Sequence, residues 1–277
     1  MLYPELKMSE QQFCAVPKAR PVAGYVGGKK QLARRLSGMI EATPHDLYGE
    51  VFAGMAGVFF RRRSAPKVEV LNDISRDVIT FFRVLQNHLQ ALMDMLKWQL
   101  ASRAEFDRLV GQDPERLTDL QRAARFLYLQ RLTFGGKVSG RTFGIDPRGG
   151  SRFNMGILSE TLAAAHERLA GVWLECLPWE EFLDRWDGPG ALFFLDPPYR
   201  GTENYYGKGL FAAEDFARLA DRLERLKGRF ILTVNDHPDT RAAFGRFRLE
   251  EATVTYTTGG HDQKPGQGEL IVTPQTD

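Results

Sequence analysis

The chain has 277 residues, of which 43% are hydrophobic and 26% are charged, and its formal net charge at pH 7 is +2. Such a composition is ordinary for a globular protein, and it excludes a disordered chain, a collagen and a coiled coil as the main state of the molecule. The length fits one α/β core that carries one inserted subdomain.

The sequence contains no segment that predicts a membrane or secreted location. No apolar run reaches the ~18 residues of a transmembrane helix, and the first residues lack the apolar stretch of a secretion signal. Cysteine occurs only as Cys14 and Cys176, so a disulfide framework is not expected. These features predict a reducing, cytoplasmic setting with no membrane partner, and they favour Cys176 as a buried strand residue.

The first strong element is a strand predicted over 47–52, which small residues follow at 53–57. Small residues allow a tight backbone turn, after which a helix is predicted to begin near Val58. A second strand is predicted over 68–71, and it ends just before Asp73. Strand, glycine turn, helix and strand form a βαβ unit, which predicts a parallel sheet.

A mostly helical region separates this unit from the second half of the chain. Apolar residues recur at helical spacing over 78–96, and a further helix is predicted over 117–132. The stretch 134–151 then holds six glycines and few apolar residues, which is typical of a long loop or a β-hairpin. With a helix predicted over 159–170, these elements indicate a helical insert at 83–160.

Strand patterns return after the insert. Strands are predicted over 172–177, 191–195 and 230–234, with a helix over 213–226. The tail predicts an antiparallel pair, 249–258 and 270–273, joined by a glycine-rich loop. The predicted organisation is a first core segment at 1–82, the insert at 83–160 and a second core segment at 161–277.

Charge is unevenly distributed along the insert. Residues 121–152 include seven basic side chains and one acid, Asp146. A cluster of this kind is either a solvated surface patch or a contact for an acidic partner such as nucleic acid. Composition alone does not decide between the two.

The most specific motif is Asp196-Pro197-Pro198-Tyr199, which follows the apolar run 192–195. Its residue types occur together by chance in a chain of this length only about once in a thousand, and ligands of open α/β sheets bind at the carboxyl ends of strands. A strand end stopped by prolines is the simpler alternative.

The motif suits a poorly nucleophilic exocyclic amine, because the carboxylate can accept one N–H and a proline-fixed carbonyl can accept the other. The aromatic ring can stack on a flipped base.

Three earlier segments complete a family pattern with this motif. They are Gly24-Tyr25-Val26-Gly27-Gly28-Lys29, Glu50-Val51-Phe52-Ala53-Gly54 and Asn72-Asp73. In these residues and their order the chain resembles the S-adenosylmethionine-dependent, adenine-specific DNA N6-methyltransferases of the DNA adenine methylase family. The resemblance implies a Rossmann-like, doubly wound, mostly parallel sheet with an antiparallel C-terminal hairpin and a helical target-recognition insert. It also implies direct methyl transfer to N6 of an adenine that has left the duplex, without a metal.

The resemblance assigns cofactor and catalytic roles by position. It implies that the S-adenosylmethionine site comprises Tyr25, Lys29, Glu50, Phe52, Gly54, Asp73 and Asp196. Lys29 would contact the cofactor carboxylate, and Asp73 would bind the ribose hydroxyls. Asp196 would lie between the cofactor and the target amine, Pro197 would offer its carbonyl, and Tyr199 would stack on the adenine.

The implied partner is double-stranded DNA, with a cognate restriction endonuclease as a candidate second partner. A glycine-rich hairpin inside the insert could enter a groove, where an arginine can bond guanine twice, while other basic residues contact phosphates. The expected DNA contacts are Lys137, Arg141, Arg148 and Arg152, with Tyr205 and Tyr206 as alternatives. The five histidines show no metal-ligand spacing, so no metal site is expected.

The chain departs from the family pattern at Val51, where proline is usual, and at Ala56, where glycine is usual. The insert also lacks the aromatic-rich hairpin of the members that modify GATC, which argues against that recognition sequence. Three alternatives stay open: the same chemistry on cytosine N4, RNA or protein glutamine; a nicotinamide enzyme; and a silent DNA-binding module. Asp196 favours adenine over the first, because those relatives often have asparagine or serine there.

Overall fold

The computed structural model of the chain describes residues 13–29, 31–145, 149–200, 211–254 and 267–275. Its strands are β1 (Cys14–Ala15), β2 (Leu47–Glu50), β3 (Ser64–Ala65), β4 (Val68–Asn72), β5 (Trp173–Glu175), β6 (Ala191–Leu195), β7 (Arg229–Asn235), β8 (Arg248–Val254) and β9 (Gln267–Thr273). Seven of them form one sheet in the order β5-β4-β2-β6-β7-β9-β8, and β1 pairs with β3 separately.

The sheet is parallel from β5 to β7 and becomes antiparallel at β9 and β8. This confirms the predicted mostly parallel sheet with an antiparallel C-terminal hairpin. The central strand β6 is buried at every position, because helices cover both faces of a doubly wound sheet. Its continuous apolar run is why its limits could be predicted.

The helices cover the two faces of the sheet and build the insert. They are α1 (Ala33–Ala42), α2 (Arg76–Asn87), α3 (Leu89–Leu96), α4 (Arg103–Val110), α5 (Asp119–Leu132), α6 (Met155–Leu169), α7 (Trp179–Trp186), α8 (Ala213–Glu224) and α9 (Pro238–Phe244). Helices α7, α8 and α9 share one apolar cluster with the sheet, whereas α1 and the insert helices share the other. Among the described residues no helix is both long and apolar enough to cross a membrane.

The insert is joined to the sheet by a continuous hydrophobic core. Phe81 of α2 packs against Phe126 of α5, with ring centroids 5.7 Å apart. The same cluster includes Leu71 of β4 and Leu192 of β6. The predicted limits of the insert fall inside α2 and α6, so the division into 1–82, 83–160 and 161–277 stays a prediction.

Two local predictions are wrong. The helix expected near Val58 is a single 3₁₀ turn at Phe59–Arg61, because Phe59 and Phe60 turn into the core directly after the tight turn. Cys176 is exposed rather than buried. It follows β5, which lies at the edge of the sheet and therefore has a neighbour on one side only.

Chain order reverses between β2 and β6. Strands β4 and β5 continue the sheet on one side, and β7 continues it on the other. Glu50, the last residue of β2, is paired with Phe194 of β6, so Asp196 follows two residues beyond this pair. Ligands of open α/β sheets bind at such a switch point, outside the carboxyl ends of the strands.

Candidate active site

A cavity of about 580 Å³ opens at the switch point. Its volume is within the range of small-molecule sites, roughly 300–1,000 Å³. Its lining includes every residue predicted to bind the cofactor: Tyr25, Lys29, Glu50, Phe52, Gly54, Asp73 and Asp196. Residues of the insert, Arg131 and Ile157, line it as well. The cavity therefore lies between the sheet and the insert.

The turn after β2 forms the floor of this cavity. Gly54 has a φ of +49°, and a Cβ added to it would lie 2.8 Å from the Tyr25 ring. Glycine is therefore required both for the backbone conformation and for the close approach of the ring. Ala56, at the position where the resembling family usually has glycine, also has a positive φ of 53°.

Asp73 is held rigidly at the end of β4. Its Oδ2 accepts a hydrogen bond of 2.8 Å from the Gly54 N–H, and its Oδ1 accepts one of 2.8 Å from the Ser75 N–H. Burial raises the pKa of Asp73, while these two hydrogen bonds lower it. The carboxyl group thereby links the turn to the start of α2 and retains lone pairs for further donors.

Glu50 is a buried carboxyl group in the wall of the cavity. It accepts hydrogen bonds from the Tyr48 hydroxyl at 2.9 Å and from the Phe59 N–H at 3.1 Å. Burial raises its pKa to about 8, against the effect of both bonds. Glu50 is therefore mostly protonated at neutral pH.

A compact charged cluster surrounds Asp196. The Lys29 ammonium lies 2.6 Å from Asp196 Oδ1 and 3.0 Å from Glu269 Oε1. The Thr233 hydroxyl donates to Asp196 Oδ1 at 3.0 Å. Burial raises the pKa of Asp196 to about 6, although Lys29 lowers it. The Asp196 side chain is 18% exposed, and the residue lines the cavity.

Tyr199 is tied into the same cluster. Its hydroxyl donates to Glu269 and accepts from Lys29, and the ammonium lies 4.4 Å from the centre of its ring. Pro197, which follows Asp196, is buried. Of the tetrapeptide, Asp196 and Pro198 line the cavity, whereas Pro197 and Tyr199 are not among its lining residues.

Sequence reasoning missed Glu269 of β9. It is only 1% exposed although it is an acid. The available signal was an acid directly before the apolar run 270–272, which in the structure is the third residue of β9. The contact between Glu269 and Tyr199 joins residues far apart in the chain, so the sequence does not indicate it.

The predicted DNA-contact residues are not gathered at one hairpin tip. Arg141 donates to Gln130 Oε1 at 3.2 Å, and burial lowers its pKa to about 10. Lys137 is half-buried and Arg152 is exposed. Arg148, Tyr205 and Tyr206 lie outside the described residues. Among the described residues of this segment, Phe143 forms an isolated antiparallel bridge with Thr133 at the end of α5.

Part of the basic cluster at 121–152 has a structural role. Arg122 pairs with Glu115 at 3.0 Å and also with Asp77, and Arg125 donates to the Leu109 carbonyl at 2.8 Å. Both arginines are buried. Counting these charges as a solvated or DNA-facing patch was therefore wrong for this part of α5. Among the described residues, no group of histidine, cysteine and acidic side chains is placed to hold a metal ion.

Comparison with known proteins supplies an independent finding. A family model described as D12 class N6 adenine-specific DNA methyltransferase matches residues 25–258. Type II methyltransferase M1.LlaDCHI of Lactococcus lactis subsp. cremoris is 24% identical over 273 residues, which cover 92% of this chain and 95% of that protein. Type II methyltransferase M.CviBI of Paramecium bursaria Chlorella virus NC1A is 23% identical over 222 residues, which cover 78% and 82%.

Proposed function

The chain belongs to the D12 class of N6 adenine-specific DNA methyltransferases, and we propose that the cavity at the switch point is where it binds S-adenosylmethionine beside the target adenine. Enzymes of this family transfer a methyl group to N6 of adenine in DNA, and use of S-adenosylmethionine is general among them. The match favours adenine N6 over cytosine N4, RNA or protein glutamine. It also argues against a nicotinamide enzyme and a silent binding module.

One observation carries the assignment of the site. Asp196 of the tetrapeptide and Asp73, which directly follows β4, are far apart in sequence and line the same cavity. The cavity combines acidic side chains with apolar walls such as Phe52 and Phe211, whose rings lie 5.8 Å apart. This chemistry fits a cofactor that carries positive charge at its methionine end and an aromatic base at the other. When bound, S-adenosylmethionine supplies a methyl group on a sulfonium, which is a good leaving group.

The residues of the chain then orient the reacting amine. The Asp196 carboxylate accepts one N–H of the adenine amino group and the Pro197 carbonyl accepts the other. These two acceptors would favour a more tetrahedral nitrogen, whose lone pair would be directed towards the methyl donor. The amine loses one proton when it is methylated, and Asp196, whose carboxylate accepts that N–H hydrogen bond, is placed to take the proton up. Catalysis of this kind consists mainly of positioning.

Lys29 and Tyr199 support Asp196 in this proposal. Lys29 neutralises the Asp196 carboxylate at 2.6 Å, which allows an acid to remain charged in a largely enclosed site. Because the Lys29 ammonium already pairs with Asp196 and Glu269, we favour its role in supporting Asp196 over direct contact with the cofactor carboxylate. Tyr199 stacks on the flipped base, a contact worth about 1–3 kcal/mol per base. Asp73 accepts the ribose hydroxyls, and Tyr25 and Gly54 shape the remaining wall.

The test of the function is direct. The protein is incubated with unmethylated double-stranded DNA and S-adenosylmethionine, and the nucleosides are analysed by mass spectrometry. N6-methyladenine is the expected product, and sequencing of the treated DNA identifies the methylated motif. Formation of N4-methylcytosine, or of no methylated base at all, contradicts the proposal. Because the relatives reported above are Type II methyltransferases, we also propose a restriction–modification setting with a cognate endonuclease.

Cofactor affinity should rise with pH as Glu50 ionises. Its pKa is about 8 in the free protein, and a cationic ligand favours the ionised carboxylate, so binding at neutral pH should release a proton. Calorimetry in two buffers that differ in ionisation enthalpy measures this release. The Glu50→Gln variant should bind more weakly and release no proton.

The stability of the Glu50→Gln variant as a function of pH is an independent check on the same pKa. The folded-state pKa of Glu50 is raised from 4.5 to about 8, so the folded protein loses stability as pH rises through this window. Glu50→Gln should therefore be more stable than the wild type above about pH 8. Equal proton release by variant and wild type would show that another group titrates.

The DNA contacts at Lys137, Arg141, Arg148 and Arg152 are proposed on the strength of charge and position in the insert. A lost phosphate contact should weaken binding to all sequences and reduce the salt slope by roughly one unit. A lost base contact should cost about 1–3 kcal/mol and relax preference at one position of the motif. The measurement is DNA affinity of each alanine variant at several salt concentrations, together with the methylated motif.

Lys67→Ala is the matched control for these variants. Lys67 is exposed and precedes β4, at the edge of the sheet opposite the cavity, so its loss should leave the salt slope unchanged. Arg141→Ala should differ from the others by losing stability, because its guanidinium is half-buried against Gln130. If all four variants behave like Lys67→Ala, the insert loop does not bind DNA.

A further inference from the structure

We propose that Glu269 is a positioning residue of the methyl-transfer site, anchoring the Tyr199 ring and setting the charge balance of Asp196 through Lys29. The inference rests on the proposed function of the cavity. Glu269 lies on β9, beyond the residues 25–258 that the family model matches, and no motif of the sequence singled it out. Its role is inferred from its contacts and charge in the folded chain.

Glu269 is placed to hold two groups with one oxygen. Its Oε1 accepts a hydrogen bond from the Tyr199 hydroxyl and lies 3.0 Å from the Lys29 ammonium. The ammonium in turn lies 2.6 Å from Asp196. A change at Glu269 therefore reaches both the ring expected to stack on the base and the carboxylate expected to accept the amine N–H.

The environment of Glu269 argues against a purely stabilising role. The residue is 1% exposed, and its Oε2 has no hydrogen-bond partner among the described residues. A buried acceptor without a partner lowers stability, and two buried acids share a single ammonium here. Such an arrangement is typical of functional sites, where charged groups are held close together at some loss of stability.

The charge of Glu269 shifts the pKa of Asp196 in a known direction. Lys29 lowers the pKa of Asp196, whereas the negative charge of Glu269 raises it. The negative charge of Asp196 raises the pKa of Glu50, and Thr233 donates a hydrogen bond to Asp196. With these groups unchanged, removal of the Glu269 charge should lower the pKa of Asp196 and extend its ionised form to more acidic pH.

The experiment compares Glu269→Gln with two further variants. Gln is nearly isosteric and keeps an oxygen acceptor, but it removes the charge. Tyr199→Phe keeps the charge and removes only the anchoring hydroxyl. Glu251→Gln is the matched control, since Glu251 lies on the neighbouring strand β8, is exposed and pairs with Arg241. For each protein kcat is measured across the acidic limb of the pH profile.

We expect kcat to fall by tenfold or more in both site variants, since a misplacement of about 1 Å can reduce rates about a hundredfold. The acidic limb should move to lower pH in Glu269→Gln only. Glu251→Gln should match the wild type in both respects. A variant that is merely less stable loses activity at all pH values without moving the limb.

A measurement that needs no turnover separates this proposal from the proposed function. Carbon-13 NMR of the aspartate carboxyl groups follows Asp196 directly, and its signal is identified by its absence in Asp196→Ala. A lower Asp196 pKa in Glu269→Gln supports the positioning role even if the wild type forms no N6-methyladenine, in which case only the proposed function fails. An unchanged Asp196 pKa, with an unmoved acidic limb, overturns the role of Glu269.

Discussion

Replacement of Asp196 by alanine should lower kcat for adenine methylation by about a hundredfold to a thousandfold, the usual effect of losing one preorganised polar contact to a reacting group. The alanine variant cannot accept the amine N–H, so the nitrogen lone pair stays delocalised into the base. Binding of S-adenosylmethionine should change far less, because Asp73, Glu50 and the turn at Gly54 remain in place.

The fold should survive this substitution. Burial raises the pKa of Asp196 to about 6, and Glu269 still lies 3.0 Å from Lys29 to neutralise the ammonium. Single-turnover methylation gives the rate, and calorimetry gives the cofactor affinity. Asp184→Ala serves as the control, since its carboxylate is exposed and pairs with Arg222 at 3.0 Å. A folded Asp196→Ala enzyme that methylates DNA at the wild-type rate would remove Asp196 from the mechanism.

The second large effect concerns stability and arises away from the cavity. Replacement of Glu69 by alanine should lower the free energy of unfolding by about 3–5 kcal/mol, because it leaves buried charges without their partner. Glu69 pairs with Arg62 at 2.7 Å and with Arg168 at 2.6 Å. The two arginine side chains are only 0% and 2% exposed, so water cannot replace the lost carboxylate.

Urea unfolding followed by circular dichroism measures this loss as a lower midpoint at constant slope. Glu224→Ala is the control, because its pair with Arg246, at 2.6 Å, is exposed on both sides and should contribute only about 0–1 kcal/mol. Replacing Glu69, Arg62 and Arg168 together by methionine should recover most of the stability, since no unpaired charge then remains buried. A Glu69→Ala variant as stable as Glu224→Ala would show that the buried network does not stabilise the fold.

The same network shows why the helix predicted near Val58 does not form. Arg62 must reach Glu69 of β4, and it lies 4.0 Å from the Tyr48 ring centre. Phe59 is covered by Arg168 of α6, whose guanidinium lies 3.7 Å from the ring centre. These partners come from distant parts of the chain. Local helical preference after the glycine turn is therefore overridden by tertiary contacts.

Local patterns were enough for the core strands and for the residues at their ends. A buried parallel strand has a continuous apolar run, and a residue directly after it must lie at the carboxyl edge of the sheet. For this reason the sequence indicates that Asp73 and Asp196 lie at the carboxyl ends of their strands, whereas the role of Glu50, inside the strand predicted over 47–52, is implied only by the family resemblance. The resemblance in the tetrapeptide then indicated the chemistry, and the family match confirmed the reaction class.

Charge counting was less informative than strand patterns. Arg122 and Arg125 add to the basic cluster in the sequence, yet Asp77, Glu115 and the Leu109 carbonyl engage them in the fold. A sequence gives the number of charges along a segment but not the partners that neutralise them. The proposed DNA contacts accordingly depend on solution measurements at Lys137, Arg141, Arg148 and Arg152.

The presence and approximate limits of the core strands are readable from sequence because hydrophobic periodicity and turn residues act over a few positions, whereas their order in the sheet is seen only in the folded chain. The surroundings of Asp196 are not readable in this way. Lys29 precedes α1, whereas Thr233 and Glu269 lie on β7 and β9, which the pairing of β6 with β7 and of β7 with β9 brings beside Asp196. Local residue preferences thus determine which strands form and where they end, whereas the ionisation of Asp196 depends on non-local charges and burial that only the folded chain creates.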